Sequence, residues 1–328
     1  MFEIRWARAL AFALIASVAA GAATVQAEEA YPSRAVRMVV PYSAGGITDI
    51  YARAVAQRLA EVWSQPVIVE NRAGASEILG ASTVAKAKPD GYTLFFGTDP
   101  SLTLNPLLYS HLPYQVSDFT PIVRVNEGIG VMVVRADLPV KSLADFINYA
   151  KAHSGAVSYG SPGAGTMQHL RMNWLASQNG FSFIHVPYSG TAPAVQAVLA
   201  GTVDTTVAPV TLVQQQIKTG KLKAVAIIGH TRFSGLPDVP SVAELGMPDL
   251  DMNIFMIVAA PAKTPRPIVD KIAHDVTAIV KEKAFEEKLT LRDGYITTDD
   301  TPEAFQKYIA EIVPKQRQRV TSANAKLD

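Results

Sequence analysis

The sequence predicts an α/β protein of two lobes, on three observations. Apolar strand-like runs alternate with amphipathic helical stretches along almost the whole chain, the pattern of helices covering a largely parallel sheet. The 328 residues exceed one ordinary core, so one large or two medium domains are expected. The register of the alternation changes near Pro121, and two α/β lobes joined by crossing strands is the simplest packing for both halves.

In chain order, Val36 to Pro41 reads as a buried strand and Ile47 to Trp63 as an amphipathic helix, with Val55, Leu59, Val62 and Trp63 on one face. Pro66 to Glu70 is a short strand, Ile78 to Lys86 a helix, Pro89-Asp90-Gly91 a turn and Tyr92 to Phe96 a third strand. Beyond Pro121, Gly130 to Arg135 is an apolar strand, and "DLPVKSLADFINYAKAH" supplies a turn and a helix capped by Ser142. Further strands are expected at Val157 to Gly160, Phe183 to Val186, Val203 to Ala208, Lys223 to Ile228 and Ile254 to Ala259. Helices at Met167 to Gln178 and Ala192 to Ala200 lie between them, and two or three more follow Pro265 around a short "GYITT" strand.

The first 27 residues form a separate segment. Arg5 and Arg8 precede the apolar run Ala9 to Ala20, and Val25-Gln26-Ala27 fits a signal-peptidase site, so cleavage after Ala27 is expected. The apolar run is shorter than a spanning helix requires. Removal of Glu3, Arg5 and Arg8 takes the formal net charge from +1 to zero. A neutral chain without a basic run argues against a nucleic-acid partner. There is no cysteine, which excludes disulfides, thiolate chemistry and a lipobox anchor. A soluble protein of the bacterial periplasm fits these features.

Four loops share one design, a strand followed by a turn of glycine, proline and small polar residues. They are Pro41 to Gly46, Gly97 to Asn105, Gly160 to Thr166 and Pro187 to Pro193, and all lack lysine and arginine. Such loops hold an anion through backbone N–H groups, hydroxyls and the free amides of helix N-termini. Glycines at 45, 46, 163 and 165 either permit close backbone approach or make tight turns. Asp49 either pairs with Arg53 at the positive helix end or fixes the glycine loop. Asp204 either braces a strand start or faces the cleft.

Enzyme motifs are incomplete. Pro41-x-Ser43-x-Gly45 approaches a nucleophile elbow, with His169, His185, His230 or His274 as conceivable bases, but proline replaces the elbow's first glycine. "GSPGAGT" lacks the ending of a phosphate loop and the third glycine of a dinucleotide fingerprint. The histidines show no metal-ligand spacing, so no metal or cofactor is expected.

The segments "YPSRAVRMVVPYSAGGITDIYAR", "VIVENRAGA", "KPDGYTLFFG", "LNPLLY", "DLPVKSLADFINYAK", "YGSPGAGTMQHL", "HVPYSGTAPAVQAVLAGTVD", "GKLKAVAI" and "LPDVPSVAELGMP" follow one another along nearly the whole mature chain. Together they resemble the periplasmic solute-binding proteins of the tripartite tricarboxylate transporter type, the Bug (Bordetella uptake gene) family. The resemblance implies a type II-like Venus-flytrap, two α/β lobes on a two-strand hinge that close over a small organic carboxylate without catalysis. It implies a first lobe from residues 28–126 and 253–328, a second from 127–252, a monomer, and integral membrane permease subunits as partners. A periplasmic sensor for the same ligands is the alternative role.

Carried over residue by residue, the resemblance puts Tyr42, Ser43, Ala44, Gly45 and Gly46 on one jaw and Ser161, Gly165 and Thr166 on the other. Thr98 and Ser101 would line the side of the cleft, and Ser189 and Thr191 would come from the second lobe. Asp49, Asp99, His169 and Asp204 would stand beside the site. Two departures stand out: "NRAGASEILG" replaces the family's "NRPGAGGNIG", and Asp99 sits where small polar residues are usual. If Asp99 faces the cleft, the ligand is a monocarboxylate, an amino acid or an acid with an uncharged tail.

Overall fold

The computed structural model describes residues 31–251, 253–291, 294–298 and 300–325, so the expected cleavage site after Ala27 lies outside the described residues. The elements, in order, are β1 (Val36–Val40), α1 (Ile47–Trp63), β2 (Val67–Asn71), α2 (Ile78–Ala85), β3 (Thr93–Thr98), β4 (Phe119–Gly128), β5 (Gly130–Arg135) and α3 (Leu143–Ala152). They continue with β6 (Ser158–Ser161), α4 (Met167–Asn179), β7 (Ile184–Pro187), α5 (Thr191–Leu199), β8 (Thr205–Pro209), α6 (Val210–Lys218) and β9 (Leu222–Ile228). The chain returns through β10 (Phe255–Pro261), α7 (Arg266–Val280), β11 (Tyr295–Thr297) and α8 (Pro302–Ser322).

Two sheets result. One runs β11-β4-β10-β3-β1-β2 and the other β7-β6-β8-β5-β9. Both are mixed, which corrects the expectation of a largely parallel sheet. β1 is parallel to β2 and β3, whereas β10 is antiparallel to β3 and β4, and β5 is antiparallel to β8 and β9. The strands that carry the chain between sheets, β4 into β5 and β9 towards β10, are those that run against their neighbours. β10 is buried at every position because it is inserted in the interior of its sheet.

The expected helix cap is present, Ser142 Oγ accepting from Asp145 N at 3.1 Å. In α1 the buried stripe is Tyr51, Ala52, Val55, Leu59 and Trp63, while Val62 is 55% exposed and departs from the expected face. β4 begins eleven residues before the strand expected at Gly130. Pro121 is tolerated within it because a register shift between Val258 and Ala259 of β10 falls opposite Val123 and Pro121, leaving Ile122 as the extra residue.

The period of two along β5 divides the second sheet's core. Met132 and Val134 pack with Phe146, Tyr159 and Leu175, and Val131 and Val133 pack with Val195, Val198 and Val213 on the opposite face. A separate apolar cluster joins Leu104 and Leu108 to Met167 and Leu170 of α4 and Val320 at the end of α8. The last helix therefore reaches from the first sheet's side to α4.

Asn253 ties the crossing region together. Asn253 Nδ2 donates to Glu127 Oε1 at 2.7 Å and to Ile228 O at 2.6 Å, joining the end of β4 to the end of β9.

Candidate functional site

The site begins where β1 ends. Pro41 closes the buried strand, and the next residues turn over Gly45, whose φ of +83° is a left-handed conformation natural to glycine. Helix α1 then starts at Gly46, which offers no side-chain cap. The first amides of α1 therefore have no acceptor within the helix.

Two adjoining cavities, of about 530 Å3 and 430 Å3, open beside this turn and share Tyr42, Thr98, Met167, Gln168 and Ile254 in their walls. Three helix starts line the larger one: Gly46 to Thr48 of α1, Met167 and Gln168 of α4, and Pro209 with Thr211 and Leu212 of α6. Each contributes partial positive charge and unpaired amides. Apolar side chains, Ile129, Val207, Ile254 and Met256 among them, make up much of the remaining wall. This is the composition of a site for a small molecule with an anionic head and an apolar body.

A cation is also present. Arg171 lies one turn into α4 on the same face as Met167, is 5% exposed and lines the larger cavity. Its Nε donates to Leu250 O at 3.1 Å. Burial lowers its pKa to about 10, a shift that Arg319 reinforces and Asp251 opposes, so it stays charged at neutral pH. The four loops carry no cation; the arginine comes from the helix behind one of them. Its spacing of four residues from Met167 was the available signal.

A second residue missed from sequence is Glu77. It ends the run Gly74, Ala75, Ser76, Glu77, in which every φ is positive, three of them at non-glycine residues, where such backbone is unfavourable. Asn105 Nδ2, donating to Ser76 O at 2.7 Å, and Tyr109 Oη, donating to Ser76 Oγ at 3.0 Å, pin this run. The Glu77 carboxylate is buried yet lines the smaller cavity. It accepts from Tyr42 Oη, Thr98 Oγ1, Thr98 N (3.1 Å) and Ser101 Oγ (2.6 Å). Burial pushes its pKa up, and the donors Ser101, Thr98 and Tyr42 pull against that shift.

The sequence-derived candidates divide into three groups. Tyr42 and Thr98 stand in both cavity walls, Gly46 in the larger, and Ser43, Gly165 and Thr166 in the smaller. Ala44, Gly45 and Ser189 are exposed and Thr191 at the start of α5 is half-buried, and none of the four contributes to either wall. Ser101 and Ser161 are fully buried behind the walls. Ser101 serves Glu77, and Ser161 Oγ bonds both backbone groups of Gly163 at 3.1 Å and lies 2.6 Å from His185 Nε2.

The amides expected to grip an anion are partly spent. Gly45 N donates to Asp49 Oδ2 at 2.8 Å, and Gly165 N donates to His169 Nδ1 at 3.1 Å. Asp49 also receives Arg53 Nε at 2.9 Å and Asn71 Nδ2 at 2.8 Å, so both readings of this residue hold at once. Burial alone would raise its pKa, but the bonds from Arg53, Gly45 and Asn71 bring it below the ordinary value.

Asp204 braces its strand: Oδ1 receives Arg135 Nε at 2.8 Å, and Oδ2 receives Ser158 N at 2.8 Å. Asp99 does not face the cleft. It is fully buried, its Oδ1 accepts from Phe255 N at 2.9 Å, and its Oδ2 meets Thr103 and Tyr308 hydroxyls. The condition attached to Asp99 is therefore not met, and among the described residues the acid in a wall of these two cavities is Glu77.

Ser43 is exposed, and among the described hydrogen bonds no histidine reaches it. No cluster of three metal-ligating side chains is found among the described residues, and no described helix is long and apolar enough to cross a membrane.

The family model "Tripartite tricarboxylate transporter family receptor" matches residues 51–324. BugT of Bordetella pertussis is 32% identical over 322 residues, 98% of each chain. A TctC solute-binding protein from Polaromonas has a similar structure, with a TM-score of 0.79 and 30% identity over 89% of this chain and 99% of that one. A Rhodopseudomonas palustris protein solved with adipate matches at a TM-score of 0.73 and 30% identity, covering 90% of this chain and all of the other.

Proposed function

Because this chain belongs to the tripartite tricarboxylate transporter receptor family, we propose that it is a periplasmic receptor that captures a small organic carboxylate between its two sheets and passes it to a membrane permease. The observation that carries this reading is the larger cavity, where three helix starts and the buried cation Arg171 meet an apolar wall. The solved relative with adipate supports the ligand class.

In this reading the carboxylate head sits against the first amides of α1 and α4, with Arg171 supplying the charge. Tyr42, Gly46, Thr98 and Thr166 contact the ligand, while Asp49 and His169 hold the two glycine loops in shape. Micromolar binding requires about 8 kcal/mol, and a charge-assisted hydrogen bond nets roughly 1.5 to 3 kcal/mol. Three or four such bonds reach that figure only when water is excluded, so closure of the lobes belongs to the mechanism.

The lobes divide as 28–126 with 253–328 and 127–252, with Asn253 at the crossing. The protein is exported with cleavage after Ala27 and acts as a monomer, without catalysis, cofactor or nucleic-acid partner. A thermal-shift screen of small mono- and dicarboxylates tests the function, because a ligand of the native state raises its stability by mass action. Concentration-dependent shifts for at least one acid are expected; a flat response across aliphatic and aromatic acids overturns it.

A further inference from the structure

We propose that Glu77 sets the specificity of this receptor: it makes one end of the cleft a wall of hydrogen-bond acceptors, selecting carboxylates whose far end donates hydrogen bonds and rejecting dicarboxylates. The inference rests on the reading of the cleft as a carboxylate site and adds which carboxylates it takes.

Glu77 receives four hydrogen bonds. Tyr42 Oη and Thr98 Oγ1 both donate to Oε1, and Thr98 N and Ser101 Oγ both donate to Oε2. Four donors on two oxygens fill the acceptor sites of an ionised carboxylate. A protonated carboxyl would have to give one of them up. No lysine or arginine bonds this carboxylate among the described contacts, so its charge is met by hydroxyls and one amide alone.

Those hydrogen bonds fix the outward face of the wall. Tyr42 and Thr98 stand in both cavities. With their protons committed to Glu77, their oxygens can offer only lone pairs to a ligand. Burial, followed by the charge of Glu77, pushes the Tyr42 phenol well above its ordinary pKa, so it remains a donor to Glu77. An ammonium, amide or hydroxyl at the ligand's far end finds acceptors there. A second carboxylate, itself only an acceptor, finds no proton there to bind it.

The loop that presents Glu77 is strained, as expected of a conformation retained for what it positions. Ala75, Ser76 and Glu77 all have positive φ, and Asn105 and Tyr109 hold them there.

The test uses calorimetric titration of the full mature chain with matched acids: hexanoate, adipate and 6-aminohexanoate, and the four-carbon set butyrate, succinate and 4-aminobutyrate. Within a set, the amino acid should bind about tenfold or more tightly than the diacid. Glu77→Gln should narrow or invert that ratio about tenfold, because its amide donates to the Tyr42 and Thr98 hydroxyls and frees their protons for the ligand. Glu77→Gly, which suits the positive φ, serves as a second variant and should also admit the diacid.

Tighter binding of the diacid by the unaltered protein, or a ratio unchanged in both variants, overturns this inference and leaves the carboxylate-receptor reading intact. Failure of every acid to bind the unaltered protein overturns that reading and this inference with it.

Discussion

The Asp49 carboxylate accepts a hydrogen bond from the backbone N–H of Gly45 at 2.8 Å, four residues back across the start of its own helix. His169 does the same for Gly165 at 3.1 Å, again at a separation of four. Each glycine loop at the cleft is thus shaped by a side chain from the first turn of the helix it leads into. The amide so used is withdrawn from the ligand, and the unpaired first amides of the helix are left to it.

Asp49→Ala should therefore loosen the first loop rather than remove a direct contact. Asn71 Nδ2 bonds both Asp49 Oδ1 and Tyr42 O, so the loss spreads to Tyr42. A stability decrease of about 1–3 kcal/mol by chemical denaturation, together with several-fold weaker carboxylate binding, is the expected outcome. Asp49→Asn, which can still accept from Gly45, should lose less of both.

Among the described residues, Arg171 is the one cation placed in either cavity wall. Arg171→Gln should reduce carboxylate affinity about ten- to a hundredfold, the worth of one charge-assisted hydrogen bond. Because the guanidinium is 5% exposed, the binding it supports should change little between low and moderate salt. Titrations of both proteins at two ionic strengths check this.

The pH dependence follows from His169. Burial, then the neighbouring His185, lowers its pKa from 6.5 to about 4. The unfolded chain then binds a proton between those values that the native protein does not. The contribution to stability is complete above about pH 6.5 and is lost as the pH falls towards 4. His169→Gln should flatten the fall in melting temperature across this window, read from melts at half-unit pH steps.

Asn253→Ala removes both bonds across the crossing strands, to Glu127 and to Ile228 O. It leaves the Glu127 carboxyl, whose pKa burial and then Asp251 already push up, without its amide donor. A stability loss of about 1–3 kcal/mol is expected. Small-angle scattering should also show a wider spread of lobe separations in the variant without ligand.

Much of this architecture was legible because the hydrophobic pattern changes period at each element. Ile47 to Trp63 and Gly130 to Arg135 appear in the structure with the bounds expected of them. Strand direction was not legible, since parallel and antiparallel strands bury the same residues; β10 shows this, being apolar throughout yet antiparallel to both neighbours. Helix α6 was missed because Pro209 precedes it and its polar run Gln214 to Gln216 masks the apolar face of Val210 and Val213. Its start nevertheless lines the larger cavity.

At the site, the family resemblance pointed to Tyr42, Gly46, Thr98 and Thr166, which stand in the cavity walls. Which amides are free, and which serines are buried behind the wall, depends on contacts such as Gly45 with Asp49 and Ser161 with His185. No local pattern encodes these. Glu77 stood in a stretch whose departure from the family pattern was visible, but only the fold shows that its carboxylate reaches Tyr42 and Thr98 from 35 and 21 residues away.

The central claim is that the cleft recognises a carboxylate group. The most direct measurement is calorimetric titration of the mature protein with the acid that gives the largest thermal shift, set beside its primary amide of the same length. The account predicts about micromolar binding of the acid and binding of the amide weaker by about a hundredfold, since the amide brings no charge to Arg171 or the helix starts. Equal affinities for acid and amide would contradict it.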